Sequence, residues 1–250
     1  MKKILYLLFG VVLLSLASCW PIDNWDGPDA QISGRVIDSY TGENLMTSQN
    51  EWKIRVWERS FTENVPQQQD LAVMQDGTYT HLKMFSGTYD MIPYDGPFWV
   101  VADTIKNVIV SKSSEQNFTV TPFLQLIEFN QRLDGLNLYL SCKLKAPRRD
   151  GLPTLREIKA FISLTPFCGQ GTNSFIDIAA YNDRRLQLNR SWGDEMARTG
   201  LDRDSEVSVV YEIGPLPVKS GYTYNVRIGA NVNTGGNRYN YTPIVKISIP

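Results

Sequence analysis

Hydrophobic and polar residues alternate along most of the chain beyond residue 30. In Leu136–Leu144 every second residue is apolar, so that Cys142 and four leucines fall on one face. The segments Ile158–Leu164, Val207–Ile213 and Tyr222–Val232 have the same period. A period of two residues is typical of a β-strand with one face in the core and the other in solvent. Similar patterns predict further strands at Gln31–Asp38, Trp52–Glu58, Gly77–Met84, Gly87–Pro93, Asp103–Val110, Asn117–Thr121 and Tyr241–Ile249.

Short strands separated by turn residues predict an all-β protein with two consecutive β-sandwich domains. The predicted junction is Thr121-Pro122, because a proline cannot donate to a sheet and holds the residue before it in an extended conformation. The two domains are then residues 31–121 and 122–250.

Helical periodicity is nearly absent from the sequence. The one helix predicted is a short turn at Trp192–Arg198, before which Ser191 provides a suitable N-cap. Helices therefore contribute little to the expected fold.

The N-terminus has the three parts of a secretory signal peptide: two lysines, the apolar run Ile4–Leu14 and small residues before Cys19. The segment Leu16-Ala17-Ser18-Cys19 is similar to a bacterial lipoprotein signal, which implies cleavage after residue 18 and lipidation of Cys19. Several acyl chains on one cysteine would anchor the protein stably. Residues 1–18 are therefore the predicted signal peptide, and 19–30, with its prolines and aspartates, a short tether. Ordinary secretion with an unmodified cysteine is the alternative.

Composition limits the partners that we expect. Loss of the two signal-peptide lysines leaves 23 basic against 26 acidic residues, a formal charge of −3. A nearly neutral protein of this kind is a poor ligand for nucleic acid, so we expect no nucleic-acid partner. Cys142 and Cys168 remain after the anchor; they form a possible disulfide, or Cys142 is a free core residue.

Catalytic motifs are lacking in the sequence. His81 is the single histidine, too few for a Cys/His zinc site, and no partnered nucleophile accompanies it. We expect no enzymatic activity, no cofactor and no metal. A glycoside hydrolase would require two close carboxylates in a cleft, and no pair stands out.

Aromatic residues in predicted loops provide the candidates for ligand contact. Exposed rings stack on the apolar faces of sugars, and loops at the ends of sandwiches are common binding sites. The alternative is that such rings fold back and cover the core. Glycan binding predicts that they are exposed on one side, whereas burial at a domain interface would count against it. The candidates are Tyr94, Phe98, Trp99, Trp192, Tyr239 and Tyr241.

The outer face of the strand Trp52–Glu58 is a further candidate. It carries Trp57 beside Lys53 and Arg55. Tryptophan and arginine are common in protein interfaces, so this face could bind either glycan or protein.

Family resemblances add to these predictions. The segments Ile32–Glu43 and Phe85–Tyr89 are similar to transthyretin-like, or carboxypeptidase-regulatory-like, β-sandwiches. The segment Tyr224–Ala230 resembles the penultimate strand of immunoglobulin and fibronectin-III domains, in which Tyr222 or Tyr224 would form the tyrosine corner.

The layout of the chain consists of the signal ending in Cys19, the acidic segment Ile22–Asp26, the segment Ile32–Glu43, the junction Val120–Leu124 and the C-terminal sandwich. In this layout nearly the whole chain resembles a two-domain lipoprotein family of Bacteroidota whose function is unknown. That resemblance implies a surface-facing outer-membrane protein associated with polysaccharide utilisation, beside a TonB-dependent transporter and its partner lipoprotein. We expect a non-catalytic accessory of glycan capture or import that binds polysaccharide or oligosaccharide. The alternative is a structural or protein-interaction subunit that does not contact glycan.

Overall fold

The computed structural model describes residues 27–60, 66–171 and 174–250. The predicted signal peptide 1–18, Cys19 and all but the last four residues of the predicted tether lie outside these ranges. Strands dominate the described residues, and the predicted all-β class is confirmed.

Strands occur throughout both halves of the described chain. The N-terminal half contains β1 (Ala30–Asp38), β2 (Lys53–Glu58), β3 (Gln68–Ala72), β4 (Thr78–Met84), β5 (Gly87–Tyr94), β6 (Ile105–Val110), β7 (Ser114–Glu115) and β8 (Phe118–Val120). The C-terminal half contains β9 (Gln125–Asp134), β10 (Asn137–Lys145), β11 (Leu155–Ser163), α1 (Ala179–Asn182), β12 (Leu186–Arg190), α2 (Trp192–Arg198), β13 (Val207–Pro217), β14 (Thr223–Val232), β15 (Tyr239–Tyr241) and β16 (Val245–Ser248).

The N-terminal strands form two four-stranded sheets around one core. In the first sheet β1 pairs antiparallel with β4 and parallel with β7 and β8. The second sheet has the order β3-β2-β5-β6 and is antiparallel throughout. Residues of both sheets meet in one hydrophobic cluster, to which β1 contributes Ile32 and β2 contributes Ile54 and Val56. Alternate residues of β2 are buried, as the period of its sequence predicts.

The C-terminal strands form a three-stranded sheet, β13-β10-β9, and a five-stranded sheet, β12-β11-β14-β15 with β16 also beside β14. The two sheets share a second hydrophobic cluster. Within β10, Leu138, Leu140, Cys142 and Leu144 are fully buried, which agrees with their predicted inward face. Leu136 precedes the strand and is half exposed.

Two local features of the C-terminal half agree with the sequence. Helix α2 begins after Ser191, whose Oγ accepts the backbone N–H of Asp194 at 3.2 Å, so the predicted N-cap is confirmed. Tyr224 rather than Tyr222 makes the corner bond: its buried hydroxyl accepts the N–H of Lys219 at 3.1 Å.

Neither helix in the described part of the chain is long and apolar enough to cross a membrane.

The central strands of the five-stranded sheet differ from the sequence prediction. Alternation predicts one solvent-facing side, but β11 and β14 are buried on both faces. Lys159 is 7% exposed, and Arg227 is completely buried. The second face is covered because Phe161 packs with Cys168, Tyr239 and Tyr241 in a third cluster, against which Met46 of the N-terminal half also packs.

A close contact between two loops joins the halves of the molecule. The Ser48 hydroxyl accepts the N–H of Gly171 at 2.9 Å, although 123 residues separate them. A Cβ on Gly171 would stand 2.1 Å from the carbonyl oxygen of Gln49. Only glycine therefore permits this approach of the two backbones.

Candidate binding cleft between the two halves of the molecule

An open cleft of about 460 Å³ lies between the two halves of the molecule. Its walls come from the end of β1 with the following loop, from the start of β9, and from β15 with the residues after it. Clefts between domains are common ligand sites. The lining combines charged, amide and apolar side chains: Arg35, Asp38, Thr41, Glu43, Asn44, Leu45, Met46, Leu124, Gln125, Leu126, Ile127, Asn240, Tyr241 and Pro243.

Hydrogen bonds between the walls fix the base of the cleft. Asp38 accepts the N–H of Tyr40 on Oδ1 at 2.8 Å and the amide of Gln125 on Oδ2 at 2.6 Å. Asn240 accepts the N–H of Leu124 at 3.1 Å, and its amide donates to a backbone carbonyl of the N-terminal half at 3.0 Å. Apart from the local bond to Tyr40, these bonds tie together segments that lie far apart in the sequence, so the cleft is preformed.

Behind Tyr241 lies a buried carboxylate of the N-terminal half. Glu51 accepts the Tyr241 hydroxyl at 2.8 Å and the N–H of Tyr239 at 2.6 Å. The Tyr239 hydroxyl donates in turn to Glu157. Burial raises the pKa of Glu51 to about 7, although these hydrogen bonds act in the opposite direction.

Arg227 supports the same wall from β14. Its guanidinium carbon lies 3.7 Å from the centre of the Tyr241 ring, and Nη1 donates to the carbonyl of Thr47 at 2.7 Å. Burial lowers the pKa of Arg227 and, together with Glu51, raises the pKa of Tyr241. A cation stacked on one face and a carboxylate bound to the hydroxyl hold the tyrosine ring in one orientation.

The cleft presents hydrogen-bonding groups beside apolar surface. Two carboxylates line it, but both oxygens of Asp38 already accept hydrogen bonds, and Glu43 is exposed. The buried Asn44 Oδ1 has no hydrogen-bond partner among the described residues. The described ranges contain no group of three His, Cys, Asp or Glu residues that could hold a metal. This arrangement suits the recognition of a hydroxyl-rich ligand.

The six aromatic residues predicted to contact glycan do not share an exposed surface. Tyr94 is 43% exposed, and Trp99 is half-buried. Arginine side chains cover a face of each ring, Arg55 at 3.8 Å over Tyr94 and Arg148 at 4.2 Å over Trp99. The expectation of exposure is wrong for the other four, which are buried: Phe98, Trp192, Tyr239 and Tyr241.

Each buried ring has a structural partner. Phe98 packs edge-on against Trp52 at 5.0 Å, and the Trp192 indole donates to the Ser205 carbonyl at 2.7 Å. Tyr239 belongs to the cluster between the halves. Burial of these rings weakens the case for glycan contact through them. Of the six, Tyr241 lines the interdomain cleft.

The two cysteines are free thiols. Cys142 lies in the core between the C-terminal sheets, and Cys168 lies in the separate cluster beside Tyr241. The possible disulfide between them is therefore not formed. Burial raises the pKa of both thiols to about 12, which makes them inert near neutral pH.

The outer face of β2 forms a separate depression. Trp57 lines a cavity of about 340 Å³ together with Arg59, Asp90 and Lys106, and Arg59 pairs with Asp90 at 2.6 Å. The structure thus places Trp57 on the outer face, as predicted. Lys53 and Arg55 on that face both pair with Asp70.

Sequence reasoning did not find the polar residues of the cleft. Arg35, Glu43 and Asn44 surround the turn after the first strand, and Gln125 follows the predicted domain junction. The signal in the sequence that could have indicated them was their position next to a turn or next to the predicted junction. Which side chains face each other across the cleft depends on the packing of the two halves.

One family model matches the N-terminal half of the chain. Residues 30–121 match the N-terminal domain of DUF3823, a protein family of unknown function. The chain shares 23% identity with a Bacteroides uniformis ATCC 8492 protein described as a "putative carbohydrate binding protein"; the TM-score is 0.70, and 89% of this chain and 100% of that chain are covered.

Two DUF3823 family proteins have similar structures. One, also from Bacteroides uniformis ATCC 8492, has 22% identity and a TM-score of 0.65. The other, from Parabacteroides merdae ATCC 43184, has 20% identity and a TM-score of 0.62. Each comparison covers 89% of this chain and 100% of the other. No curated protein matches the sequence. Residues 30–121 therefore match the DUF3823 N-terminal domain, and the fold of the chain is similar to that of DUF3823 proteins.

Proposed function

We propose that this chain is a non-catalytic carbohydrate-binding lipoprotein, and that saccharide binds in the interdomain cleft. Lipid on Cys19 anchors it in the outer membrane with its domains facing the cell exterior. There it assists glycan capture or import beside a TonB-dependent transporter and its partner lipoprotein.

The observation that carries the binding proposal is the lining of the cleft, where side chains with hydrogen-bonding groups stand beside Leu45, Met46 and Leu126. Ligand sites combine a few polar groups with apolar surface in this way, and a sugar offers hydroxyls to the polar groups and a C–H face to the apolar surface. Arg35 and Glu43 line the same cleft and add a donor and an acceptor. The similar Bacteroides uniformis protein described as a "putative carbohydrate binding protein" favours the same ligand class.

The test is retardation of the purified protein in affinity gels that contain neutral polysaccharides. The double variant Arg35→Ala/Glu43→Ala removes one cation and one anion from the cleft lining and should abolish retardation. The matched control is Arg132→Ala/Glu212→Ala, which removes a weak surface pair at 3.8 Å on β9 and β13. Retardation that is equal in both double variants would refute the cleft as the binding site.

Absence of catalysis and the lipid anchor need separate measurements. Incubation with any polysaccharide that binds should release no new reducing ends. Metabolic labelling with palmitate should label the protein and not Cys19→Ala, and the variant should leave the membrane fraction. Reducing-end release, or labelling of the variant, would contradict the corresponding part of the proposal.

The second candidate function is a protein-interaction subunit, and β6 favours it. This strand is at the edge of its sheet and pairs with β5 alone among the described strands. Ile109 on β6 is 74% exposed. An unpaired edge with an exposed apolar residue can accept a strand from another protein. This candidate would be favoured if the protein co-purifies with the transporter and the Ile109→Lys variant does not.

A further inference from the structure

A second concave site lies at one side of the C-terminal half, away from the interdomain cleft. Strand β12 is at the edge of the five-stranded sheet, and β13 is at the edge of the three-stranded sheet. Between these edges is a cavity of about 380 Å³, whose floor contains Leu188 and Tyr211. We call it the arginine groove, because Arg185, Arg190 and Arg198 line it.

A buried carboxylate positions two of the arginines. Glu195 of α2 is completely buried and accepts Arg198 Nε at 2.9 Å and Nη2 at 2.6 Å. It also accepts the Tyr211 hydroxyl at 2.7 Å. Arg190 Nε lies 3.2 Å from the same carboxylate and donates to the Leu188 carbonyl at 2.9 Å. These bonds fix both guanidinium groups. The two terminal nitrogens of Arg190 take no part in them.

The charges around the groove favour an anion. Its lining carries three cations and no carboxylate. Glu195 lies behind the wall, and Glu157, which is nearly buried, stands 3.7 Å from Arg185. Asp183 and Arg185 line a neighbouring depression together, so acidic residues lie close to Arg185. The positive end of the groove is therefore at Arg190 and Arg198. These two side chains are 38% and 48% exposed, which leaves their outer nitrogens accessible.

We propose that the arginine groove binds the carboxylate of an acidic sugar, a hexuronic acid, between Arg190 and Arg198. Guanidinium groups bind planar carboxylates through paired hydrogen bonds. Leu186, which is partly buried, also lines the groove and provides apolar surface for a sugar ring. The carboxylate requirement rests on the groove alone, whereas the saccharide part rests on the proposed function.

The experiment is a titration of the purified protein with glucuronate, followed through the arginine Nε–Hε signals in NMR spectra. Glucose is the matched probe without a carboxylate, and acetate is the carboxylate without a sugar. We expect saturable shifts of the Arg190 and Arg198 signals with glucuronate, at least about tenfold weaker binding of acetate, and no shifts with glucose.

Two variants and one control test the location. Arg190→Gln should weaken glucuronate binding by about tenfold, and Arg185→Gln should weaken it by a smaller factor, because Arg185 lines the groove but stands beside Glu157. Arg185 does not bind Glu195, so its variant remains informative if Arg190→Gln fails to fold. Arg203 pairs with Asp194 of α2 at 2.8 Å and does not line the groove. Arg203→Gln therefore removes an equal charge outside the groove and should bind as wild type.

Four results would overturn the proposal. Absence of saturable shifts would exclude the site, and equal weakening by Arg203→Gln would show that only general charge attracts the anion. Acetate that binds as well as glucuronate would exclude the sugar ring from recognition. Glucuronate binding should also persist in Arg35→Ala/Glu43→Ala, because that variant alters the interdomain cleft; loss of binding there would refute an independent groove.

Discussion

Replacement of Glu51 by glutamine should remove a pH dependence of stability that the domain interface imposes. The pKa of this carboxyl is raised from 4.5 to about 7 in the folded protein. Between these values the folded state holds a proton that the unfolded state has released. The free energy of unfolding of the wild-type protein should therefore fall as pH rises from 4.5 to 7, and its loss is complete above pH 7.

The size of the effect follows from the pKa difference. One pKa unit corresponds to about 1.4 kcal/mol. This carboxyl alone should therefore lower the free energy of unfolding by about 3 kcal/mol between pH 4.5 and pH 7.5. Carboxylates that are paired with arginine have lowered pKa values, so they change the free energy of unfolding at lower pH. The hydrogen bonds and charges of Arg55 and Lys53 lower the pKa of Asp70, and Arg198 and Tyr211 outweigh burial in lowering that of Glu195.

The assay is urea denaturation at several pH values between 4.5 and 7.5, followed by tryptophan fluorescence. Glu51→Gln should lose the downward slope of the wild-type protein across this window. Glu206→Gln, a surface change, should keep it. A wild-type stability that stays level or rises from pH 4.5 to 7, or a slope that Glu51→Gln retains, would refute the assigned pKa.

Three further substitutions test the roles of buried groups. Trp192→Ala should lower the free energy of unfolding by about 3–5 kcal/mol, because this ring fills the core; a loss below about 1 kcal/mol would restore Trp192 as a surface ligand residue. Gly171→Ala should destabilise the protein by about 1–3 kcal/mol in thermal denaturation and Gly236→Ala by much less, because only the first Cβ meets a backbone oxygen of the other half at 2.1 Å. Tyr224→Phe should cost about 1 kcal/mol in urea denaturation through loss of the corner bond to Lys219, and an unchanged midpoint would contradict that bond's contribution.

The predicted strands that occur in the structure have a period of two and contribute to a core. In β10, alternation correctly placed Cys142 inward. Strand β9 was not predicted, because its last five residues are all exposed and its sequence lacks regular alternation. The edge strands β3 and β12 are short and polar and gave equally little signal. These strands form because they pair with a neighbouring strand, and since they are little buried their sequences show no hydrophobic alternation.

The candidate sites were harder to predict than the strands. The cleft joins Asp38 to Gln125, which are 87 residues apart, and the domain interface joins Glu51 to Tyr241, 190 residues apart. Loop aromatics have no sequence signal that separates exposed rings from buried ones. The arginine groove was missed for the same reason, since Glu195 brings together Arg190 and Arg198 only when α2 packs against β13.

Local sequence patterns were sufficient to predict the all-β class, the inward faces of strands such as β10, and the cap of α2 at Ser191. These features follow from local alternation and from hydrogen bonds between near neighbours, which the order of residues specifies directly. The burial of Arg227 and Lys159, the place of Tyr241 in the cleft wall and the separation of the cysteines depend on how the two halves pack. Segments distant in sequence cover the second face of the five-stranded sheet, and the residue pattern of a strand does not show whether another part of the chain covers it.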